Sequence, residues 1–308
     1  MSLVQFLTFA FLCTVWGTTW VAIKISLEGL PPFGGAALRF TIALILLFLY
    51  TRLYKISLKM NRKNFMVVAI TAFLMYPIDY GLIYWGEQYL SAGVTAIFFA
   101  TFPLFTGIWA TFLFRNEKFH WNKFIGLMLG IAGIIIVFLD QLLITQFERT
   151  VAMGTLAIIL GAAGGSMSVV IIKKYLTGVN HISLSFHQML QGVIYLFLFS
   201  TVTESYSDFH PNLRVILAVV YLGLFGSAIA FALYYWLLQK VSAITLSLII
   251  YITPIVAIIV DYFMFGEVIE IRAIIGMIII FSGIAFVEMN RSNVNRFLKI
   301  LRVSNLNR

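Results

Sequence analysis

The segment LIYWGEQYLSA at residues 82–92 is repeated as LYYWLLQKVSA at residues 233–243, 151 positions later. Six residues coincide within the two segments, and Pro103 coincides with Pro254 at the same spacing. After a deletion of one residue, three further pairs match at a spacing of 150: Glu117 with Glu267, Gly126 with Gly276, and Gly133 with Gly283. Matches at one fixed spacing indicate an internal duplication of the chain.

Apolar residues dominate almost the whole sequence. Of the 308 residues, 61% are hydrophobic and 11% are charged, whereas soluble domains carry roughly 25% charged residues. Ten apolar runs have about the 20 residues that a membrane-spanning helix needs. They lie near residues 3–24, 33–51, 64–86, 91–114, 121–140, 151–172, 183–203, 213–238, 241–265 and 272–289. The sequence therefore predicts an all-α integral membrane protein with ten transmembrane helices.

The duplication divides the ten predicted helices into two sets of five. An odd number of helices per copy requires the second copy to insert upside down relative to the first. This is the organisation of carriers that hold a central site between two inverted halves. We expect the first five-helix repeat at residues 1–145, the inverted repeat at residues 146–290, and a basic tail at residues 291–308.

The charges are distributed unevenly between the two predicted membrane faces. The net charge is +9, and the basic residues gather in the loops after the second, fourth, sixth and eighth helices and in the tail. The positive-inside rule makes this face cytoplasmic, so both termini are expected inside the cell. The tail either touches anionic lipid headgroups or only fixes orientation. This distribution predicts that the partner is a lipid bilayer, that of the bacterial plasma membrane, and not a nucleic acid. The protein is expected to be a monomer or a homodimer.

Signals for metal binding or catalysis are missing from the sequence. The single Cys13 excludes an intramolecular disulfide and a cysteine-based metal site. His120, His181, His187 and His210 lack metal-ligand spacing, and no phosphate-binding loop with a lysine is present. The sequence predicts no enzyme activity, no metal and no cofactor.

Several short motifs occur in a fixed order along the chain. They are Trp16-Gly17 with Lys24, Leu38-Arg39-Phe40, the stretch 81–93, Thr101-Phe102-Pro103, Asn116-Glu117-Lys118, Thr253-Pro254-Ile255 and Gly266-Glu267. In this order and spacing the chain resembles the EamA-type members of the drug/metabolite transporter superfamily over almost its whole length. The resemblance implies a ten-helix inverted-repeat fold and export or exchange of small metabolites, often amino acids.

Four charged residues are predicted at membrane depth, where charges are rare and face a cavity or a partner. They are Lys24, Arg39, Asp79 and Asp261. Snorkelling to the headgroups is the alternative to a site role for Lys24. Arg39 is expected to pair with Asp79 or with a helix-end carbonyl. Asp79 lies about two turns from the outer surface in the third helix, where burial favours its neutral form and a nearby Arg39 would favour its charged form.

Helical spacing places aromatic and polar residues on shared faces. The candidate substrate-binding residues on these faces are Trp16, Trp20, Tyr76, Asp79, Tyr80, Ser166, Phe231, Tyr234, Ser247 and Tyr251. The 151-residue spacing relates the face of Tyr76 and Asp79 to a face on the eighth helix, as a cavity between two inverted halves requires. Packing is the alternative for each ring. Tyr84, Trp85, Tyr235 and Trp236 are predicted to form interfacial belts.

Prolines and glycines mark positions where helices bend or pack closely. Pro77, Pro103 and Pro254 each remove a backbone donor inside a predicted helix, and the repeated pair Pro103 and Pro254 serves either gating or an ordinary kink. The glycines of the fifth and tenth helices fit close helix packing. Gly161, Gly164, Gly165 and Ser166 either line the cavity opposite Trp16 or form a tight crossing.

Together these features predict a secondary transporter that moves a small metabolite, an amino acid or a related compound, by alternating access. Its energy source is the substrate gradient or proton exchange, and Asp79 is the deep carboxylate that proton exchange would use. A facilitative pore is the main alternative, although the bulky aromatic residues indicate no continuous polar path. A membrane-embedded enzyme is the third, and it would need a catalytic cluster that the sequence lacks.

Overall fold

Two long helices joined by a short turn begin the fold. In this computed structural model, residues 2–113, 125–126, 128–133, 135–136, 149–176, 178–238, 240, 243–266 and 270–288 are described. Helix α1 spans Leu3–Ser26, and the Ser2 and Gln5 side chains cap it reciprocally. Helix α2 spans Pro32–Leu53 and starts with a proline, whose missing N–H would have no helical partner there.

The third and fourth spans are interrupted helices. Helix α3 (Arg62–Phe73) continues through π-helical turns at Leu74–Gly81, the first π-segment, into α4 (Leu82–Glu87). Helix α5 (Ala92–Phe99) is followed by α6 (Phe102–Leu113). The helix is interrupted at residues 100–101 between them. Pro103 lies in the first turn of α6, where a proline costs no hydrogen bond.

The second half also starts with two long helices that precede a span with a π-segment. Helix α7 spans Arg149–Tyr175 and α8 spans His181–Thr203. Helix α9 (Leu213–Tyr221) continues through Leu222–Ile229, the second π-segment, into α10 (Ala230–Leu238). Helices α11 (Ala243–Phe265) and α12 (Ile271–Glu288) complete the described chain.

Seven helical spans are long and apolar enough to cross a membrane. They are Leu3–Ser26, Pro32–Leu53, Arg62–Glu87, Ala92–Leu113, Arg149–Tyr175, His181–Thr203 and Leu213–Leu237, and the shorter apolar helices Ile252–Phe265 and Ile271–Gly283 accompany them. The described part of the chain contains no strand. The prediction of an all-α membrane protein is therefore confirmed. Half of the predicted fifth helix, residues 121–140, lies outside the described residues.

Close helix contacts join the two halves of the sequence. Helix α1 packs along α11, and α2 packs along α8. Helix α7 crosses the first π-segment, whereas α1 and α2 both contact the second. Each π-segment is thus packed against the half of the chain that does not contain it.

Glycines allow the last helix to approach helical residues between 125 and 136. A methyl group added to Gly133 would lie 2.7 Å from the Gly276 carbonyl oxygen, and one added to Gly283 would lie 2.6 Å from the Gly126 carbonyl oxygen. Larger residues at these positions would force the backbones apart. The prediction of close packing by these glycines is confirmed, and the two contacts run in opposite chain directions.

The two halves are also tied together at the end of α1 opposite the N-terminus. The Glu204 carboxylate accepts hydrogen bonds from the Phe33 and Gly34 amides at 2.7 and 2.9 Å, which caps the start of α2. The His210 amide donates to the Gly29 carbonyl at 2.8 Å. Glu28 and Arg214 form an exposed ion pair at 3.4 Å.

Candidate functional site

A cluster of aromatic rings lies where α1, α2, the first π-segment and α10 meet. Trp16 contacts Phe231 and Tyr234, with ring centroids 5.9 and 5.1 Å apart. Tyr80 contacts Phe231 at 6.4 Å and Phe40 at 4.7 Å. The rings therefore form one connected set contributed by both halves of the chain. We call Trp16, Phe40, Tyr76, Tyr80, Phe231 and Tyr234 the aromatic cluster.

Arg39 lies fully buried beside this cluster, with 1% of its surface exposed. Its guanidinium is stacked over the Phe40 and Tyr80 rings, 4.9 and 5.1 Å from their centroids. Its Nε donates to the Ser227 hydroxyl at 2.7 Å, and its Nη2 donates to the Gly226 carbonyl at 3.2 Å. Arg39 thus binds neutral groups of the second π-segment and the faces of two rings, which attract cations.

The Gly226 carbonyl is shared by two donors. It also accepts a hydrogen bond from Trp16 Nε1 at 3.2 Å. The π-segment changes the regular i→i−4 pattern, so a carbonyl on this stretch is available to side chains of neighbouring helices. One backbone oxygen of the second half therefore binds both Trp16 of α1 and Arg39 of α2.

Asp79 faces a different neighbour from the one the sequence suggested. It is 2% exposed, and a methyl group on Gly165 of α7 would overlap its carboxylate. Among the described residues, no cation lies within 4.0 Å of Asp79, and its Oδ1 has no hydrogen-bond partner. Neither partner expected for Arg39 is found among the described residues, because Asp79 lies elsewhere and the carbonyl that Arg39 binds, Gly226, lies inside a π-segment rather than at a helix end. Gly161, Gly164 and Gly165 form the tight crossing.

The two π-segments have different local causes. Pro77 lies inside the first and has no N–H to donate, so the regular hydrogen-bond pattern fails there. The second contains Gly223 and Gly226 but no proline. Methyl groups on these two glycines would clash with Ile42 and Thr19, so the segment admits α1 and α2 only because it lacks side chains there.

A second group of polar residues lies near the C-terminal end of α4 and consists of Lys24, Glu87 and Asp261. Lys24 Nζ donates to the carbonyls of Glu87 and Leu90 at 3.1 and 2.6 Å, which closes the end of the third span. The Asp261 carboxylate accepts from the Gly93 amide in the first turn of α5 at 2.9 Å. Lys24 therefore binds protein carbonyls rather than headgroups.

Glu87 contributes a carboxylate to this group. It is fully buried, and neither carboxylate oxygen finds a hydrogen-bond donor in the described part of the chain. It is the last residue of α4. Its spacing from Ile83 and Tyr80 places it on the helical face of Tyr76 and Asp79, as the sequence predicts.

A buried hydrogen-bond network centred on Gln188 of α8 was not predicted from the sequence. The Tyr235 hydroxyl donates to Gln188 Oε1 at 3.3 Å, and Gln188 Nε2 donates to the Ser168 hydroxyl at 3.4 Å. Ser168 in turn donates to the Thr71 carbonyl at 2.9 Å. Gly192, one turn along α8, lies against the Tyr76 ring. The network therefore borders the aromatic cluster.

The remaining predicted residues are placed as follows. Trp20 is buried against Phe99, with ring centroids 5.2 Å apart. Ser166 is fully buried and donates to the Ala163 carbonyl at 2.9 Å, so its hydroxyl is bound within its own helix. Pro254 lies inside the continuous helix α11, whereas Pro103 begins a new helix. The side chains of Ser247 and Tyr251 lie outside the described residues.

The predicted aromatic belts are wrong for two residues. Tyr84 is fully buried, and Tyr235 is 7% exposed and hydrogen-bonded to Gln188. Both lie on the inward face of their spans, since Tyr84 follows Tyr80 by four residues and Tyr235 follows Phe231 by four. Proximity to a helix end in sequence did not reveal which side the ring faces.

Comparison with known proteins gives the family. The EamA-like transporter family matches residues 5–139 and, separately, residues 152–289. The chain belongs to this family. It is 24% identical to the uncharacterized transporter YoaV of Bacillus subtilis over 88% of this chain and 91% of that one. It is 28% identical to the inner membrane transporter YedA of Escherichia coli over 82% and 80% of the two chains.

A further relative and a solved structure match the chain over most of its length. Protein PagO of Salmonella typhimurium is 26% identical, with 90% of each chain covered. A solved crystal structure superimposes with a TM-score of 0.67 at 19% identity, over 92% of this chain and 96% of that one. The EamA family and the transporter names of these relatives establish the protein as a membrane transporter. The predicted family resemblance is confirmed.

Proposed function

We propose that this EamA protein is a secondary transporter that exports or exchanges a small metabolite, an amino acid or a related compound, by alternating access. The observation that carries the proposal is the aromatic cluster beside Arg39, to which both halves of the chain contribute. A site shared by two halves is exposed to one side or the other when the halves rock against each other.

Two features support an arrangement of ten helices in two inverted repeats, residues 1–145 and 146–290. Two eight-residue π-segments recur in the third span and in the span that begins at Leu213, although π-helix accounts for well under 1% of residues in proteins. The paired glycine contacts are reciprocal as well. Gly126 contacts Gly283, and Gly133 contacts Gly276. Since the 150-residue spacing relates Gly126 to Gly276 and Gly133 to Gly283, each contact is the repeat equivalent of the other. Reciprocal contacts of this kind are those of a two-fold axis.

The substrate that suits the cluster carries an apolar part and a polar part. The rings of Trp16, Tyr80 and Phe231 would enclose the apolar part. Arg39 and the Gln188–Tyr235 pair supply hydrogen-bond donors and acceptors at its border. Lys24, Glu87 and Asp261, together with the α2 cap at Glu204, would form the closed gate on one side, and Pro103 and Pro254 would permit its movement.

The orientation and energy source complete the proposal. The protein lies in the bacterial plasma membrane with both termini in the cytoplasm, as the basic loops indicate. The energy is supplied by the substrate gradient or by exchange for protons, for which Asp79 and Glu87 are the buried carboxyl groups. No catalytic chemistry is assigned to the protein.

An unbiased comparison of metabolites tests the transport function. Cells overexpressing the protein and cells lacking it are compared for intracellular and released small molecules. We expect at least one metabolite class to be released in proportion to the protein level. Trp16→Leu should abolish this release, because it removes the ring that joins α1 to α10. Trp85→Leu, the same exchange on a ring that contacts only Tyr89 among described rings, should not.

A reconstituted system separates a carrier from a pore. Proteoliposomes loaded with the released metabolite should take up its labelled form faster than empty ones, because exchange avoids the return of the unloaded carrier. Uptake should saturate with concentration. Flux that is linear in concentration and indifferent to the loading would identify a pore, and the absence of any protein-dependent metabolite would remove the transport proposal.

A further inference from the structure

A groove on the lipid-facing surface lies apart from the aromatic cluster. It is bounded by α1, α9 and α11 and has a volume of about 590 Å³. On α1 its wall is the stripe Thr18, Val21, Ala22 and Ile25, and on α9 it is Arg214, Leu217, Ala218 and Tyr221. Both stripes follow the i, i+3, i+4, i+7 spacing of one helix face. Two facing stripes with an alanine in the middle leave the concave space between them.

The inside of the groove offers only apolar surface to a ligand. Its two hydroxyl groups, on Thr18 and Tyr221, are hydrogen-bonded to each other at 2.5 Å. The other wall residues are aliphatic, including Val260 and Met264 of α11, with Arg214 as the exception. A polar ligand would find no partner in this space, whereas a hydrocarbon chain would lose no contacts on entering it from the bilayer.

Arg214 marks the mouth of the groove. It lies in the first turn of α9, and its side chain is 49% exposed. Its Nη1 lies 3.4 Å from Glu28, and its guanidinium lies 5.7 Å from the centre of the Phe265 ring. A guanidinium has five N–H donors, so the contact with one carboxylate leaves donors for a second anion.

The groove extends along about two thirds of one leaflet of a bilayer. From Arg214 to Tyr221 the groove runs seven residues, about 10 Å at 1.5 Å per residue. A leaflet's hydrocarbon layer is about 15 Å deep, half of the bilayer core.

We propose that this groove binds one acyl chain of a phospholipid whose anionic headgroup is held by Arg214. The lipid belongs to the leaflet at the end of α1 opposite the N-terminus. The bound chain fills the space between α1 and α9. Helix α1 carries Trp16, and α9 continues into the second π-segment. This site is independent of the transported substrate.

Native mass spectrometry of the full-length protein in detergent with added phosphatidylglycerol tests the proposal. We expect one phosphatidylglycerol molecule to remain bound to the wild type under conditions that remove the others, in preference to phosphatidylcholine. Leu217→Trp, which fills the groove from an exposed position, should abolish this retention. Leu156→Trp, at an equally exposed position on α7, should leave it unchanged.

The headgroup contact is tested separately. Arg214→Gln should lower the preference for phosphatidylglycerol about five-fold, the effect of one basic side chain on an anionic lipid. Glu28→Gln should preserve it, since Arg214 then loses only its protein partner. Arg52→Gln, at an exposed arginine at the end of α2, is the control for unspecific charge effects.

Photolabelling locates the chain in the bilayer. Phosphatidylglycerol with a photoactivatable acyl chain should label residues 18–25 and 213–221 in preference to the exposed face of α2 at Ile45 and Leu49. Uniform labelling of all exposed faces would overturn the proposal. So would retention of the lipid by well-folded Leu217→Trp, or a dimer without lipid that Leu217→Trp dissociates, which would assign the groove to a second copy.

Discussion

The two π-segments have the same length and helix type, but the small residues at their crossings belong to different partners. At the first, the crossing helix α7 presents Gly161, Gly164 and Gly165, and the π-segment supplies the side chains Ile78 and Asp79. At the second, the π-segment has Gly226 at the contact, and α1 supplies Trp16 and Thr19. A tight crossing requires small residues on one of the two partners, and either partner can provide them.

This difference decides which polar groups each crossing offers. At the first, the carboxylate of Asp79 is enclosed by glycine backbone. At the second, the carbonyl of Gly226 and the hydroxyl of Ser227 are turned toward Arg39 and Trp16. The first crossing thus holds a buried acid without a described cation partner, and the second holds a buried cation without a carboxylate within 4.0 Å among the residues described. The two charges are held independently of each other.

Removing the cation should have the largest effect. Arg39→Leu leaves the Ser227 hydroxyl without its donor, leaves the Gly226 carbonyl with the Trp16 donor alone, and removes two ring contacts. Hydrogen bonds to charged groups contribute about 1.5–3 kcal/mol each, so we expect a loss of about 3–5 kcal/mol in the free energy of unfolding. Thermal unfolding in detergent measures it. Arg52→Leu, at the exposed end of α2, should change the stability by less than about 0.5 kcal/mol; equal effects would contradict the importance of the second crossing.

Adding bulk to the first crossing should have the next largest effect. Gly165→Ala places a methyl group on the Asp79 carboxylate, and overpacking of this kind costs about 1–3 kcal/mol. Gly161→Ala meets the Asp79 carbonyl only at 3.1 Å and should cost less. Combining Gly165→Ala with Asp79→Ala should recover part of the loss, because the overlapping atoms are gone. A double variant no more stable than Gly165→Ala would show that the side chain is not the obstacle.

Truncating the hydroxyl of the second crossing should have a smaller effect than removing Arg39. Ser227→Ala deletes one bond to the guanidinium and keeps the bond to the Gly226 carbonyl. We expect a loss of about 1.5 kcal/mol, the lower value for a hydrogen bond to a charge. Ser227→Thr keeps the hydroxyl and serves as the control for the bond itself. A loss as large as that of Arg39→Leu would mean that the carbonyl contact contributes nothing.

Neutralising the acid of the first crossing should have the smallest effect on stability. Asp79→Asn keeps the shape of the side chain and breaks no ion pair, so we expect a change of about 0.5 kcal/mol or less. Its effect should add to that of Arg39→Leu, since the two residues do not share a contact. Recovery of Arg39→Leu by Asp79→Asn would reveal an ion pair. If protons drive transport through Asp79, reconstituted uptake by Asp79→Asn becomes independent of pH; an unchanged pH profile removes Asp79 from proton coupling.

Much of the architecture could be read from the sequence, since length and composition report membrane spans directly. Apolar runs of about 20 residues and the match of residues 82–92 with 233–243 are local signals that need no knowledge of neighbours. They yielded the all-α membrane fold, and the order of the short motifs gave the resemblance to the EamA family. They also led to Trp16, Tyr80, Phe231 and Tyr234, which the fold brings together in one cluster.

The partners of the buried polar groups were decided only by the tertiary structure. A membrane span is apolar on all sides, so no contrast between a wet and a dry face shows which side chains turn inward. Tyr84 and Tyr235 therefore looked like interfacial residues, although both are buried. Arg39 finds its partners 187 and 188 positions away, on a π-segment without a proline to announce it. Sequence determined which segments cross the bilayer, whereas helix packing determined which atoms meet inside it, because those contacts depend on the rotation of each helix about its axis.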